Sequence, residues 1–188
     1  MGVLTGPEIE RVQAGFYDED RRRIVIDPPS PHVGPNSADL TLGNVLRYVL
    51  PGPDGVLDTR GTPATRDYPI PSEGVVLPPG AFVLGTTVER TATEGLMPWI
   101  DGRSTTGRFG LMVHVTAGKG DDGFGAGPDG PRPWTLEIVN VSGHPLRIYA
   151  GRRIAQVFFF TLVGERRPYA GAYNAQDGPT PPQPGGIG

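Results

Sequence analysis

Trp99-Ile100-Asp101-Gly102-Arg103-Ser104-Thr105-Thr106-Gly107-Arg108-Phe109-Gly110-Leu111-Met112-Val113-His114-Val115-Thr116-Ala117-Gly118 is the stretch on which the reading of this chain turns. From Gly102 to Arg108 it sets two arginines and three hydroxyl side chains among glycines, the residue types that bring backbone and guanidinium forks against phosphate oxygens. The segment reads as an anion cradle. The run from Leu111 to Thr116 alternates, with Leu111, Val113 and Val115 on one side and Met112, His114 and Thr116 on the other, so the cradle is mounted on a half-buried strand. After a glycine-rich excursion opening Asp121-Asp122-Gly123-Phe124 comes a second alternating strand, Trp134-Thr135-Leu136-Glu137-Ile138-Val139. Leu136 and Ile138 face its core side, which turns Glu137 the other way. A carboxylate returning on a strand after such a cradle is a candidate general base; the plainer reading is an exposed edge-strand charge.

The whole chain sets the bounds. Its 188 residues suffice for one domain with a sizeable core. The 29 glycines and 22 prolines are interleaved with short apolar runs, which means many turns between many short strands. No apolar run approaches the roughly 18 residues of a membrane-spanning helix. With no signal-peptide pattern at the N-terminus, a soluble, cytoplasmic protein is expected. Cysteine is absent, which removes disulfides, thiolate nucleophiles and the cysteine-ligated zinc of the zinc-dependent nucleobase deaminases. His32, His114 and His144 stand at no metal-ligand spacing. The net charge of −3 gives no basic field for nucleic acid, and Lys119 is the single lysine among 17 basic residues.

In chain order, Thr5 and Glu8 form a capping-box pattern that starts a short helix running to about Ala14 and stopped by Gly15. Ile24-Val25-Ile26 is a strand. Asn36 to Gly43 alternates with Leu40 and Leu42 inward, leaving Asp39 outward as a turn or strand-edge carboxylate bonded to nearby backbone donors. Val45 to Leu50 continues as strand, and the turn-rich run from Pro51 to Pro71 reads as an exposed loop. Gly74 to Arg90 reads as two strands joined at Pro78-Pro79-Gly80, and Leu146 to Tyr149 and Ile154 to Phe160 as two more. No helical pattern is long enough to cover a sheet, so the strands close on themselves as a barrel or jelly-roll-like sandwich, with homo-oligomerisation a natural way to cover the faces left over. A single domain over 1–176 and a flexible Pro/Gly-rich tail over 177–188 are expected.

With these residues in view, the chain resembles the dCTP deaminase family of the dUTPase superfamily. The likeness rests on the ordered string from Trp99-Ile100-Asp101-Gly102-Arg103-Ser104 through Arg108 and Leu111 to Ala117, then Asp121 and Thr135-Leu136-Glu137. It implies an all-β, dUTPase-like distorted jelly-roll with a short N-terminal helix, assembled as a homotrimer with active sites between subunits. The implied substrate is a cytosine deoxynucleoside triphosphate carrying Mg²⁺, deaminated at C4 without zinc, with no nucleic-acid or membrane partner. Glu137 matches the general base, Ser104 and Arg108 the residues that hold and polarise the reacting centre, and the Ala117 backbone the group that positions base and water. Arg103, Ser104 and Thr105 match the phosphate-gripping positions, Thr116 and Asp121 residues at the nucleotide, and Tyr169 and Gln176 the segment folding over the triphosphate. For Asp39 the resemblance adds a role near the metal or phosphates. Three departures stand out: Asp121-Asp122-Gly123 where the family has Asp-Pro-Gly, an insertion over Gly125 to Pro133, and Ala172 where a phosphate-gripping lysine is expected. The main expectation is release of dUTP and ammonia. Thr116-Ala117-Gly118 favours the alternative, a bifunctional enzyme giving dUMP and pyrophosphate. A low-turnover binder, or a deaminase of a modified or less phosphorylated nucleotide, is the third reading.

Overall fold

The computed structural model describes residues 2–13, 21–113 and 116–183. In order it contains α1 (Gly6–Val12), β1 (Arg23–Asp27), β2 (Ala38–Thr41), β3 (Val45–Leu50), β4 (Ala64–Pro69), β5 (Val75–Leu77), β6 (Phe82–Glu94) and β7 (Leu96–Gly102). Then come α2 (Ser104–Arg108), β8 (Leu111–Val113), β9 (Arg132–Asn140), β10 (Leu146–Ile148) and β11 (Arg153–Thr161), with a 3₁₀ turn at Ala172–Ala175. The six-stranded sheet runs β4-β3-β6-β9-β8, with β1 also paired to β6; β2-β11-β7 and β10-β5 form smaller sheets, all pairings antiparallel. Both larger sheets turn their apolar faces to one core, where Leu40, Leu46, Ile100, Leu136, Ile138, Val157 and Phe159 are wholly buried. This is the jelly-roll-like β architecture that the many short alternating strands imply.

Several expectations are corrected. The capping box does not form: Thr5 occupies the N-cap with no side-chain cap bond, and Glu8 turns to Arg11 at 2.6 Å and Arg22 at 3.3 Å. Two guanidiniums outcompete one backbone N–H for that carboxylate. The reading of the helix end at Ala14 and Gly15 falls outside the described residues. Within the supposed loop Pro51 to Pro71, β4 pairs along the full length of β3, joined by Arg47–Asp67 at 2.6 Å and the edge-on rings of Tyr48 and Tyr68. Its side chains are mostly exposed, so no apolar alternation marks it. The strands on either side of Pro78-Pro79-Gly80 are not a hairpin, since β5 pairs with β10 and β6 with β9, β1 and β3. The run from Asp177, expected as a free tail, is bonded to the sheet as far as Thr180: Thr180 N donates to Thr135 Oγ1 of β9 at 3.0 Å, and Asp177 pairs with Arg90 of β6 at 2.9 Å.

A buried carboxylate ties the two larger sheets together. Glu89, 2% exposed on β6, accepts Thr41 N at 2.7 Å and Thr41 Oγ1 at 2.5 Å from β2. Its neighbour Thr87 donates to the Glu89 carbonyl and accepts Trp134 N across the register shift between β6 and β9. Glu89→Ala leaves the buried donors of Thr41 without acceptors and should cost about 2–3 kcal/mol. Thermal denaturation should show Tm falling by roughly 5–10 °C, with a smaller fall for Glu89→Gln.

Candidate active site

Glu137 sits where strand alternation puts it, opposite Leu84 of β6 and on the face away from the wholly buried Leu136 and Ile138. Its Oε2 accepts a hydrogen bond from Thr116 Oγ1 at 2.7 Å. That bond holds the carboxylate at the wall of a cavity of about 460 Å³ that is also lined by Ala117, Asp121, Tyr169 and Gln176. One chain therefore gathers Glu137, Ala117, Asp121, Tyr169 and Gln176 around one space, with Thr116 bonded to Glu137.

The strap carrying Thr116 to Asp121 is held flush against β7. Ile100 N donates to Gly118 O at 2.7 Å, Gly120 N to Pro98 O at 2.8 Å, and Trp99 bridges Lys119. A Cβ on Gly118 would lie 2.7 Å from the Ile100 carbonyl oxygen and 3.0 Å from Trp99 Nε1, so only glycine lets the strap approach this closely. The Lys119 ammonium is ion-paired with Asp121. Behind them Phe124 stacks on Trp134 at 4.3 Å and 30°, with Trp134 Nε1 donating to Thr91 Oγ1 at 2.7 Å, which gives the cavity an aromatic end.

The C-terminal segment closes the space. Tyr169 N donates to Asp122 O at 2.6 Å, Gln176 Nε2 donates to Pro133 O at 2.7 Å, and the Gln176 carbonyl accepts Thr135 Oγ1 at 3.3 Å. Gln176 is thus a buried part of the wall. Asp122 anchors this arrangement and was not singled out by the sequence. It is 7% exposed, accepts Gly95 N at 2.7 Å, and takes a two-pronged bond from Arg166 at 2.7 and 3.0 Å. The only signal for it was its place as the acidic residue where the resembled family has proline. The Gly125 to Pro133 insertion lies alongside: its last two residues belong to β9, Gly125 N donates to Asn174 Oδ1 at 3.1 Å, and Pro131 O accepts Arg90 Nε at 3.1 Å.

The cradle residues lie elsewhere. Ser104, Thr105 and Arg108 are exposed on α2, which leaves the end of β7 in the three-stranded sheet, and Gly110 at φ +81° turns the chain from there into β8. Arg103 and Thr105 line a second cavity of about 580 Å³. Asp39 is 4% exposed, against the expectation that it faces outward; its Oδ1 accepts Arg103 Nε at 3.1 Å and its Oδ2 accepts Arg153 Nη1 at 2.9 Å. Within one chain the candidate base and the phosphate cradle therefore face different spaces. His114 and Val115 lie outside the described residues. Among the described residues no group of three or more His, Cys, Asp or Glu side chains could hold a metal ion, and no helix is long and apolar enough to cross a membrane.

The fold and the cavity define a jelly-roll-like β protein with a carboxylate set into an aromatic-ended cavity. Its architecture is similar to that of the 2'-deoxycytidine 5'-triphosphate deaminase of Agrobacterium tumefaciens, with TM-score 0.59 and 22% identity over 84% of this chain; this chain spans 48% of that one. The model of the dCTP deaminase-like family matches residues 3–162, and the chain belongs to that family. It is 42% identical over 185 residues to the "dCTP deaminase, dUMP-forming" of Leptospira biflexa, covering 95% of this chain and 94% of that protein. It is 38% identical over 181 residues to the protein of the same name from Hathewaya histolytica, covering 95% of each.

Asp122→Ala removes the acceptor of both Arg166 and Gly95. Amide hydrogen exchange at Tyr169 and over 172–176 should speed by at least about tenfold, the equivalent of one lost charge-assisted bond, while amides of β9 keep their protection.

Proposed function

We propose that the protein hydrolyses dCTP to dUMP, pyrophosphate and ammonia, consuming two waters. The observation that carries this reading is the Glu137 carboxylate, held by the Thr116 hydroxyl at 2.7 Å in a cavity it shares with Ala117 and Asp121. The names of the most similar relatives favour dUMP over dUTP as the product, as does Thr116-Ala117-Gly118. Glu137 takes a proton from a water that attacks C4 of cytosine, passes it to N3, and delivers the second to the departing amine, which leaves as ammonia. The Ala117 backbone orients that water. Asp121, beside Lys119, serves the second water, which attacks the phosphoryl group and releases pyrophosphate. Mg²⁺ arrives on the triphosphate as part of the substrate and would neutralise the phosphate charge there; the chain supplies arginines and hydroxyls to the phosphates.

The separation of cradle and base within one chain supports a homotrimer in which Arg103, Ser104, Thr105 and Arg108 of one copy close the Glu137 cavity of another. Exposed apolar side chains border that face, since Phe82 and Met112 both pair with Val139 and are 49% and 42% exposed. Patches of this kind mark association surfaces.

Incubating the protein with dCTP and Mg²⁺ should yield dUMP, pyrophosphate and ammonia in equal amounts without accumulation of dUTP; dUTP as sole product would restore the simpler deaminase reading. Glu137→Gln should lower kcat by about 10³-fold while the Kd for dCTP changes less than about threefold. Glu137→Gln and Arg108→Ala chains, each inactive alone, should regain activity when co-expressed, because mixed trimers contain sites with both residues intact. Absence of complementation would argue against sites shared between copies.

A further inference from the structure

Lys119 is the single lysine of the sequence. Among the described residues it is also the only cationic side chain on the wall of the Glu137 cavity, where Asp121 and Glu137 are the two carboxylates. Its direction is built into the strap. Gly118 and Gly120, on either side of it, are bonded to β7 through Ile100 N and the Pro98 carbonyl, and Lys119 itself bridges Trp99 in antiparallel fashion. A Cβ on Gly118 would meet the Ile100 carbonyl oxygen at 2.7 Å, and one on Gly120 would overlap the Trp134 ring. Both neighbours are therefore pressed inward without side chains. Strand-like backbone alternates, so Lys119 and Asp121 project together from the other face. There they form an ion pair, with side chains 53% and 48% exposed. The bond to Asp121 occupies one of three ammonium donors and leaves two for a ligand.

A reaction that ends at dUMP brings a phosphoryl group close to Asp121, and two carboxylates on one wall repel it. An ammonium paired with one of them offsets that repulsion and stabilises the charge that gathers on the phosphoryl oxygens as water attacks. Resting on the dUMP-forming reading, we infer that Lys119 is a catalytic residue of the phosphoryl step: its ammonium binds a non-bridging oxygen of the α-phosphoryl group while Asp121 holds the attacking water. The α position follows from the shared cavity, since Asp121 stands with Glu137 at the nucleoside end of the substrate and the arginines line the other space. The water oxygen bonds to the α-phosphorus as the bond to the oxygen bridging α and β breaks. Pyrophosphate leaves with that electron pair, and Asp121 takes the water's proton and returns it to solvent. Deamination at C4 needs no such counter-charge. Lys119 therefore sets how much of the dUTP formed in the site goes on to dUMP before it escapes.

Ammonia, dUMP and dUTP measured in one incubation of the full-length protein with dCTP and Mg²⁺ test this. In Lys119→Met, which keeps the length of the side chain and loses its charge, ammonia release should stay within about threefold of wild type while dUMP formation falls about 10²-fold, so that dUTP accumulates. Lys119→Arg, which keeps the charge, should recover most of the dUMP. An exposed ion pair adds little to stability, so Tm should move by less than about 3 °C in either variant. Wild-type dUMP formation by Lys119→Met, or ammonia and dUMP falling by the same factor, overturns the role. A wild-type protein that stops at dUTP removes the dUMP-forming reading and this role with it, an outcome seen before any variant is compared.

Discussion

The pairing of β6 with β9 is the constraint on which the rest depends. β6 is the long central strand, sharing its edges with β1, β3 and β9, and its register sets Leu84 against Glu137 and Phe82 against Val139. Because strand side chains alternate, that register drives Leu136 and Ile138 into the core and leaves Glu137 no orientation except toward the cavity. A slip of one residue would bury the carboxylate in hydrocarbon and expose two aliphatic side chains, so the packing that stabilises the sheet also aims the carboxylate. Glu89 secures the same region from the opposite direction, binding β6 to β2 through Thr41.

Chemistry is divided between the ends of this framework. The cavity around Glu137 is aromatic and partly acidic, while the cavity near α2 is lined by arginines. Keeping them apart lets each carboxylate meet the partner it needs: Glu137 faces a hydroxyl, and Asp39 faces two guanidiniums. A substrate spanning both spaces then needs a second copy, the arrangement the proposed function adopts.

Local rules failed where tertiary partners outbid them. Glu8 carries the right spacing for a cap, yet Arg11, one turn along, and Arg22, fourteen positions away in sequence, share its carboxylate. β4 has no apolar face because it is an edge strand held by its ladder and by Arg47–Asp67, so hydrophobic periodicity could not reveal it. The stretch from Asp177 reads as disordered by composition, but Thr135 and Arg90 on the sheet offer it bonds that composition does not show.

The sequence by itself determined the β character of the chain, the inward and outward faces of β8 and β9, the outward orientation of Glu137, and the family, because alternation and an ordered motif are local properties written in residue order. Only the tertiary structure decided that Asp39 is buried between two arginines, that Asp122 anchors the segment closing the cavity, and that Glu137 and Arg103 face different spaces. Each of those depends on pairings between strands far apart in sequence, as when β11 lies between β2 and β7, and a contact across such distance leaves no periodic trace in the chain.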